Sequence, residues 1–250
     1  MADQTVIMFN PDGGEKPLEP WDPVPAASVA IGEPVQTGNE YLSINKGSLV
    51  AGVWTCSPWV SVPAPYGVNE FMIVLEGHII IEHENGNVQS FGPGESFAIP
   101  KGAPCVWKQT EDVRKYYFIF DDPSGAKSDN PAALDAIRII VPETLPQVDA
   151  GDPEQCIGDS PRMGLKSVML DPTGQFQVGI LESSPMQRQP ATIARSEIMH
   201  ILEGSGSITN ADGVVFNFKV GDTFLVPIGM GYQWHNTEYV KKIFCALTPN

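Results

Sequence analysis

Glu70-Phe71-Met72-Ile73-Val74-Leu75-Glu76-Gly77 is written twice in this chain, returning as Glu197-Ile198-Met199-His200-Ile201-Leu202-Glu203-Gly204, 127 residues further on. The surroundings return at the same offset: Gly94/Gly221, Phe97/Phe224, Pro100/Pro227, Gly102/Gly229, Trp107/Trp234 and Lys115/Lys242. A period of this length marks a duplicated domain rather than a stacked short repeat. At 250 residues each copy is long enough to bury its own core.

Outward from the repeated stretch, short apolar runs alternate with Gly, Pro and Asn. Leu49-Val-Ala-Gly-Val-Trp-Thr and its copy Phe176-Gln-Val-Gly-Ile-Leu-Glu read as strands that stop at Ser57-Pro58 and Ser184-Pro185. Asn85-Gly86 and Asp212-Gly213 sit between strands, where a tight hairpin turn needs positive φ at its central residues. Two such sets predict an all-β fold, sandwich or barrel. One short linker helix is expected near 131–140, because Asn130-Pro131 is an N-cap followed by proline and Leu134, Ile137 and Ile140 are spaced by three. The expected layout is a proline-rich arm over 1–37, a first barrel over 38–125, a linker over 126–160 and a second barrel over 161–250.

Fifteen Lys and Arg against thirty Asp and Glu give a net charge of −15, which argues against nucleic-acid or anionic-membrane partners. The cysteines (Cys56, Cys105, Cys156, Cys245) form no C-x-x-C pair and are expected to be free thiols. The first residues show no basic segment followed by an apolar run, so no secretory leader is expected, and no apolar run reaches spanning length. A cytoplasmic protein is expected, and the edge-forming arm with the duplicated domain suggests association as a homodimer.

The repeated motifs resemble those of cupins, small jelly-roll (double-stranded β-helix) barrels. The second half of the first cupin motif, G-x5-H-x-H-x3,4-E-x6-G, is present as Glu70-x6-Gly77 and Glu197-x6-Gly204. The second motif, G-x5-P-x-G-x2-H-x3-N, is matched by Gly94-x5-Pro100-x-Gly102 and Gly221-x5-Pro227-x-Gly229. The resemblance extends over about 38–120 and 165–247, and the chain also looks like the metal-poor subgroup related to the ethanolamine-utilisation cupin. In two-copy layout the chain is also similar to (S)-ureidoglycine aminohydrolase. The resemblance implies two tandem cupin barrels and, in metal-binding members, three histidines and a glutamate as ligands. Here the first-motif histidines are missing from both copies, and the second-motif slot holds Cys105 and Tyr232. No cofactor or metal is therefore expected. His78 and His83 are read as surface or rim residues, while His200 and His235 fail the strand parity needed to join a site.

The same parity places Cys105, Trp107 and Gln109 inside the first barrel, facing Glu70, and Tyr232, Trp234 and Asn236 inside the second, facing Glu197 and Met199. Each interior then offers a carboxylate, a tryptophan and an amide among apolar walls, the composition of a small-molecule pocket. Glu197, its pKa raised by desolvation, with Tyr232 forms a candidate metal-free acid/base pair for an isomerase, lyase or hydrolase acting on a small polar metabolite. Alternatively both glutamates only anchor strands, in a non-catalytic ligand-binding or scaffold bicupin; a ureidoglycine aminohydrolase-like hydrolase is a further alternative implied by layout. Cys105 has no histidine in register to activate it, with only Lys101 and Lys108 near in sequence. Arg188 and Arg195 are either solvated or a bidentate carboxylate clamp.

Overall fold

The structure, a computed structural model, describes residues 5–14, 16–44, 47–126, 128 and 134–249. The elements are antiparallel strands and short 3-10 turns, and the chain divides into two units. One comprises Phe9–Ile139 with Asp171–Gly174; the other comprises Met1–Met8, Ile140–Leu170 and Gln175–Asn250. Among the described residues no helix is long and apolar enough to cross a membrane.

Each unit is built from two sheets. In the first, one sheet runs in the order Ile137–Arg138, Ser96–Ile99, Asn69–Glu76, Val113–Phe120, Leu49–Cys56, Gln36–Ile44 and Glu19–Pro20. The other runs Val88–Phe91, Ile79–His83, Pro104–Gln109, Trp59–Ser61 and Val29–Gly32. Their inward side chains, among them Met72, Val74, Ile81, Phe97 and Trp107, form one core. The second unit repeats this, with Ser196–Glu203 between Thr223–Val226 and Val240–Leu247, and a core of Met199, Ile201, Phe224, Val226 and Trp234 among others.

The repeated Glu-Gly closes the central strand because of where Gly77 and Gly204 sit. Both have positive φ (+70° and +79°), and an added Cβ would lie 2.2 and 2.0 Å from the carbonyl oxygens of Asp112 and Tyr239. Only glycine fits such a conformation at such an approach. Just before it, both copies carry the same irregularity in pairing with the last strand: Arg114 faces Glu76 but Lys115 faces Val74, and Lys241 faces Glu203 but Lys242 faces Ile201. A bulge of this kind re-aims the side chains beside it.

One feature departs from the sequence reading. The linker helix expected near 131–140 is not formed in its described part: residues 131–133 lie outside the described residues, Leu134–Ala136 is irregular, and Ile137–Arg138 is a strand paired with Ala98 and Phe97. A free sheet edge on Ser96–Ile99 recruits it, and tertiary pairing outweighs a weak local helical preference. The proline-rich arm pairs at sheet edges. Glu19–Pro20 pairs with Thr37 and Gly38, Val29–Gly32 pairs with Trp59–Ser61, and Ile7–Met8 pairs with Leu225 and Phe224 in the second unit.

Candidate functional site

Lys115 and Lys242 organise the interiors. Lys115 lies on the last strand of the first barrel, opposite Val74 and Trp54, and so points inward. Its Nζ donates to Glu70 Oε1 at 2.7 Å and to Met72 Sδ at 3.1 Å. It also stands 4.8 and 4.7 Å from the ring centroids of Trp54 and Trp107. The second barrel repeats this: Lys242 Nζ donates to Glu197 Oε1 at 2.8 Å and Met199 Sδ at 3.1 Å, and stands 4.9 Å from the Trp234 ring. Both pairs are buried, each side chain being 7% exposed or less. Desolvation of this degree is compensated by the opposite charge and the tryptophan faces.

The remaining carboxylate oxygen separates the two copies. Glu70 Oε2 accepts from the Tyr66 hydroxyl. Glu197 Oε2 accepts from Arg195, at 2.7 Å from Nε and 2.6 Å from Nη2. Burial alone would raise the Glu197 pKa, but Lys242 and Arg195 outweigh it and hold the carboxyl below the usual range. This corrects the expectation of a Glu197 raised by desolvation: the lysine and arginine keep it ionised, with both oxygens engaged. Burial lowers Lys242, opposed by Glu197. Burial, then the negative charge of Glu197, pushes the Tyr232 phenol well up, so it is a protonated donor at neutral pH.

Of the residues expected at the sites, Trp107 and Cys105 line a cavity of about 340 Å³ in the first barrel with Trp54, Trp59, Tyr66 and Lys115. Glu197, Tyr232 and Trp234 line one of about 450 Å³ in the second with Arg188, Arg195 and Lys242. Glu70 and Met199 are not on these linings; they sit behind them, holding the lysines. The amides are structural. Gln109 accepts from Trp107 Nε1 and donates to the carbonyls of Cys56 and Ser57; Asn236 accepts from Trp234 Nε1 and donates to Ser184 and Glu238. Expected as ligand-binding groups, they are spent orienting the tryptophans.

Two histidine expectations change. His83 is buried rather than at the surface, and it is the cross-strand partner of Cys105. It does not activate the thiol: Nε2 accepts from Ala136 N at 3.1 Å and Nδ1 faces Asp135 at 3.7 Å. Lys101 and Lys108 are turned to Asp121 and Glu82. Burial accordingly pushes Cys105 up to about 11. His78 is exposed and pairs with Glu111, and His200 bonds Thr223.

A divalent metal does not fit these interiors. The retained glutamate in each barrel is already bonded to an ammonium, which occupies a carboxylate oxygen that a metal would need. The histidine slot offers a thiol or a phenol whose burial keeps it protonated. Among the described residues no three His, Cys, Asp or Glu side chains cluster as ligands, whereas a catalytic zinc needs three protein donors.

Two antiparallel barrels in one chain, each closed on a Glu-x6-Gly strand, define a tandem cupin. The chain belongs to the EutQ-like cupin domain family, whose profile matches residues 45–117 and again 170–244. No functionally curated protein matches it. A protein of unknown function of the DUF861 family from Pseudomonas syringae pv. tomato str. DC3000 is similar in structure, with TM-score 0.77, 17% identity, and coverage of 97% of this chain and 99% of that one. A cupin 2 conserved barrel domain protein from Leptotrichia buccalis (TM-score 0.55, 13% identity, 92% and 97% covered) and the protein Ylba from E. coli, of family DUF861 (TM-score 0.55, 14%, 100% and 94%), share the fold.

Sequence reasoning missed Lys115, Lys242 and Tyr66. The signal for the lysines was their recurrence: a charge within an otherwise apolar strand, at the same place in both copies.

Proposed function

We propose that this chain is a metal-independent small-molecule bicupin whose working pocket is the C-terminal barrel, binding a small polar metabolite. The observation that carries this is the Lys242–Glu197–Arg195 cluster on the wall of a cavity of about 450 Å³. A fixed cation supplied by the protein is bonded to the glutamate that the cupin resemblance implies as a metal ligand, on a lining it shares with Tyr232 as a hydroxyl donor. Cavity size and the mix of apolar wall with a few convergent polar groups suit a metabolite.

Binding is favoured over general-base catalysis because both Glu197 oxygens are engaged and its pKa is held down. A second reading, an isomerase or lyase, is favoured by one observation: the Tyr232 phenol lines the cavity and stays protonated, which suits a proton donor. A ureidoglycine aminohydrolase-like reaction is not supported, since the donor set that such a resemblance implies is not assembled.

The test is calorimetric or NMR screening of EDTA-treated full-length protein against a panel of polar metabolites, repeated with Ala191→Trp on the cavity lining. Saturable binding without added metal, lost in Ala191→Trp, is expected. Binding only after Mn²⁺ or Zn²⁺ is restored, or unaffected by the blocking substitution, would refute the proposal.

A further inference from the structure

We infer that the C-terminal cavity is an anion seat, and that the metabolite it takes is a small carboxylate received by Arg188. This rests on the pocket reading above and names the ligand class of that same site.

The argument begins with charge. Among the described residues, Arg188, Arg195 and Lys242 line the cavity against a single carboxylate, Glu197. Glu197 is shared between Lys242 and Arg195. Arg188 has no carboxylate partner among the described residues. Its guanidinium donates to the Ala150 carbonyl at 3.0 Å, Met163 Sδ at 3.4 Å and Cys156 Sγ at 3.5 Å, all neutral acceptors. A half-buried cation held only by neutral and weak acceptors carries a desolvation cost that an anion in the cavity would offset.

The excess is local to this barrel. The chain as a whole carries −15, and in the first barrel the positions matching Arg188 and Arg195 are Ser61 and Val68. There, among the described residues, Lys115 is the only charged one on the cavity lining, and Glu70 neutralises it.

Arg188 is also held in place. Its backbone N–H donates to Trp234 O at 2.8 Å, its carbonyl accepts from Gln233 Nε2 at 3.1 Å, and Cys156 bridges to it. Nη2 is engaged by Ala150 and Met163 and Nη1 by Cys156, which leaves Nε–H and the second Nη1 hydrogen, without a partner among the described residues, to receive a carboxylate oxygen. Arg195 spends Nε and Nη2 on Glu197, so the seat centres on Arg188.

The experiment uses full-length protein at constant ionic strength. Acetate, pyruvate, malonate and benzoate are titrated beside their amides and inorganic phosphate, in the wild type, Arg188→Gln and Arg188→Lys. At least one acid should bind tenfold or more tightly than its amide, Arg188→Gln should abolish that preference, and Arg188→Lys should retain part of it. The acid–amide comparison in wild type needs no variant, so it decides the matter even if Arg188→Gln misfolds. Equal binding of acid and amide, an unchanged preference in Arg188→Gln, or phosphate binding more tightly than every carboxylate overturns the inference. If neutral probes still bind and are blocked by Ala191→Trp, the pocket survives without its anion; if nothing binds, both readings fall.

Discussion

Replacing Lys242 by methionine removes the ammonium while keeping a flexible chain of similar volume, so little cavity is created. Glu197 Oε1 then loses the donor at 2.8 Å, and Trp234 loses the cation 4.9 Å from its ring. Arg195 remains on the other oxygen, but its side chain is 41% exposed, so solvent screens part of its field. Stripping one partner from a buried ion pair costs about 3–5 kcal/mol, because the other charge stays buried. At roughly 2–4 °C per kcal/mol for a chain of this size, the melting transition should fall by on the order of 10 °C. The same substitution at Lys115 should cost more, since Glu70 would keep only the neutral Tyr66 hydroxyl. The double variant Lys242→Met/Glu197→Gln removes both charges and should return to within about 1–2 kcal/mol of wild type. Differential scanning calorimetry of the four proteins, with far-UV dichroism to confirm folding, reads all of this. A Lys242→Met protein as stable as wild type, or a double variant no better than the single, would refute the reasoning that ammonium and carboxylate compensate each other.

Glu197 is held below its ordinary value of 4.5, so the unfolded chain takes up its proton first as pH falls. Its contribution is complete above that value and is lost as pH drops through the folded-state value, so the stability gap between wild type and Glu197→Gln in thermal melts should narrow from pH 7 to pH 3. Burial puts Cys56 and Cys105 up at about 11, and all four cysteines are buried and free; a chromogenic disulfide reagent at pH 8 should titrate less than one thiol in minutes in the native protein and four after denaturation. Gly204→Ala and Gly213→Ala share a positive φ of about +80°, but only at Gly204 would the new Cβ meet an atom, Tyr239 O at 2.0 Å. Both should lose ~1 kcal/mol or more from backbone strain, and Gly204→Ala should melt clearly lower; equal losses would deny the close approach.

The fold was legible because the glycines, the hairpin pairs and the Glu-x6-Gly strand are local features that recur with their identities intact. The repeat also runs into the arm, where it is invisible to a comparison of identities. The 3-10 turns at Ala26–Ser28 and Pro153–Gln155 lie 127 residues apart, yet one reads Ala-Ala-Ser and the other Pro-Glu-Gln. The helix was misread because three apolar residues at i+3 spacing satisfy a helical template in so short a run, and nothing local reveals that Ser96–Ile99 lacks a neighbour. The interior lysines escaped for a different reason. Val113–Phe120 is buried along nearly its whole length on both faces, so it shows no alternation from which to assign Lys115 a side. The bulge between Arg114 and Lys115 further breaks any parity count from Glu70. Position parity was enough for Glu197, Tyr232 and Trp234, which share one cavity, but not to foresee that Gln109 and Asn236 are consumed by the tryptophans beside them.

The two barrels solve the same electrostatic problem and then differ in one partner. A glutamate pointing into a closed barrel needs a cation, and in each copy the last strand delivers it as a lysine stacked on tryptophan. In the first barrel the second oxygen takes a neutral tyrosine, so the cluster closes on itself and leaves a cavity walled by Trp54, Trp59 and Trp107 with no net charge. In the second it takes Arg195, and Arg188 adds a further cation, so the cluster is left with positive charge facing the cavity. On the anion-seat proposal, the open cluster is the one that would draw a ligand into its barrel. That difference, rather than cavity size, is why ligand searches belong in the C-terminal barrel, with the first barrel as an internal control of nearly identical build.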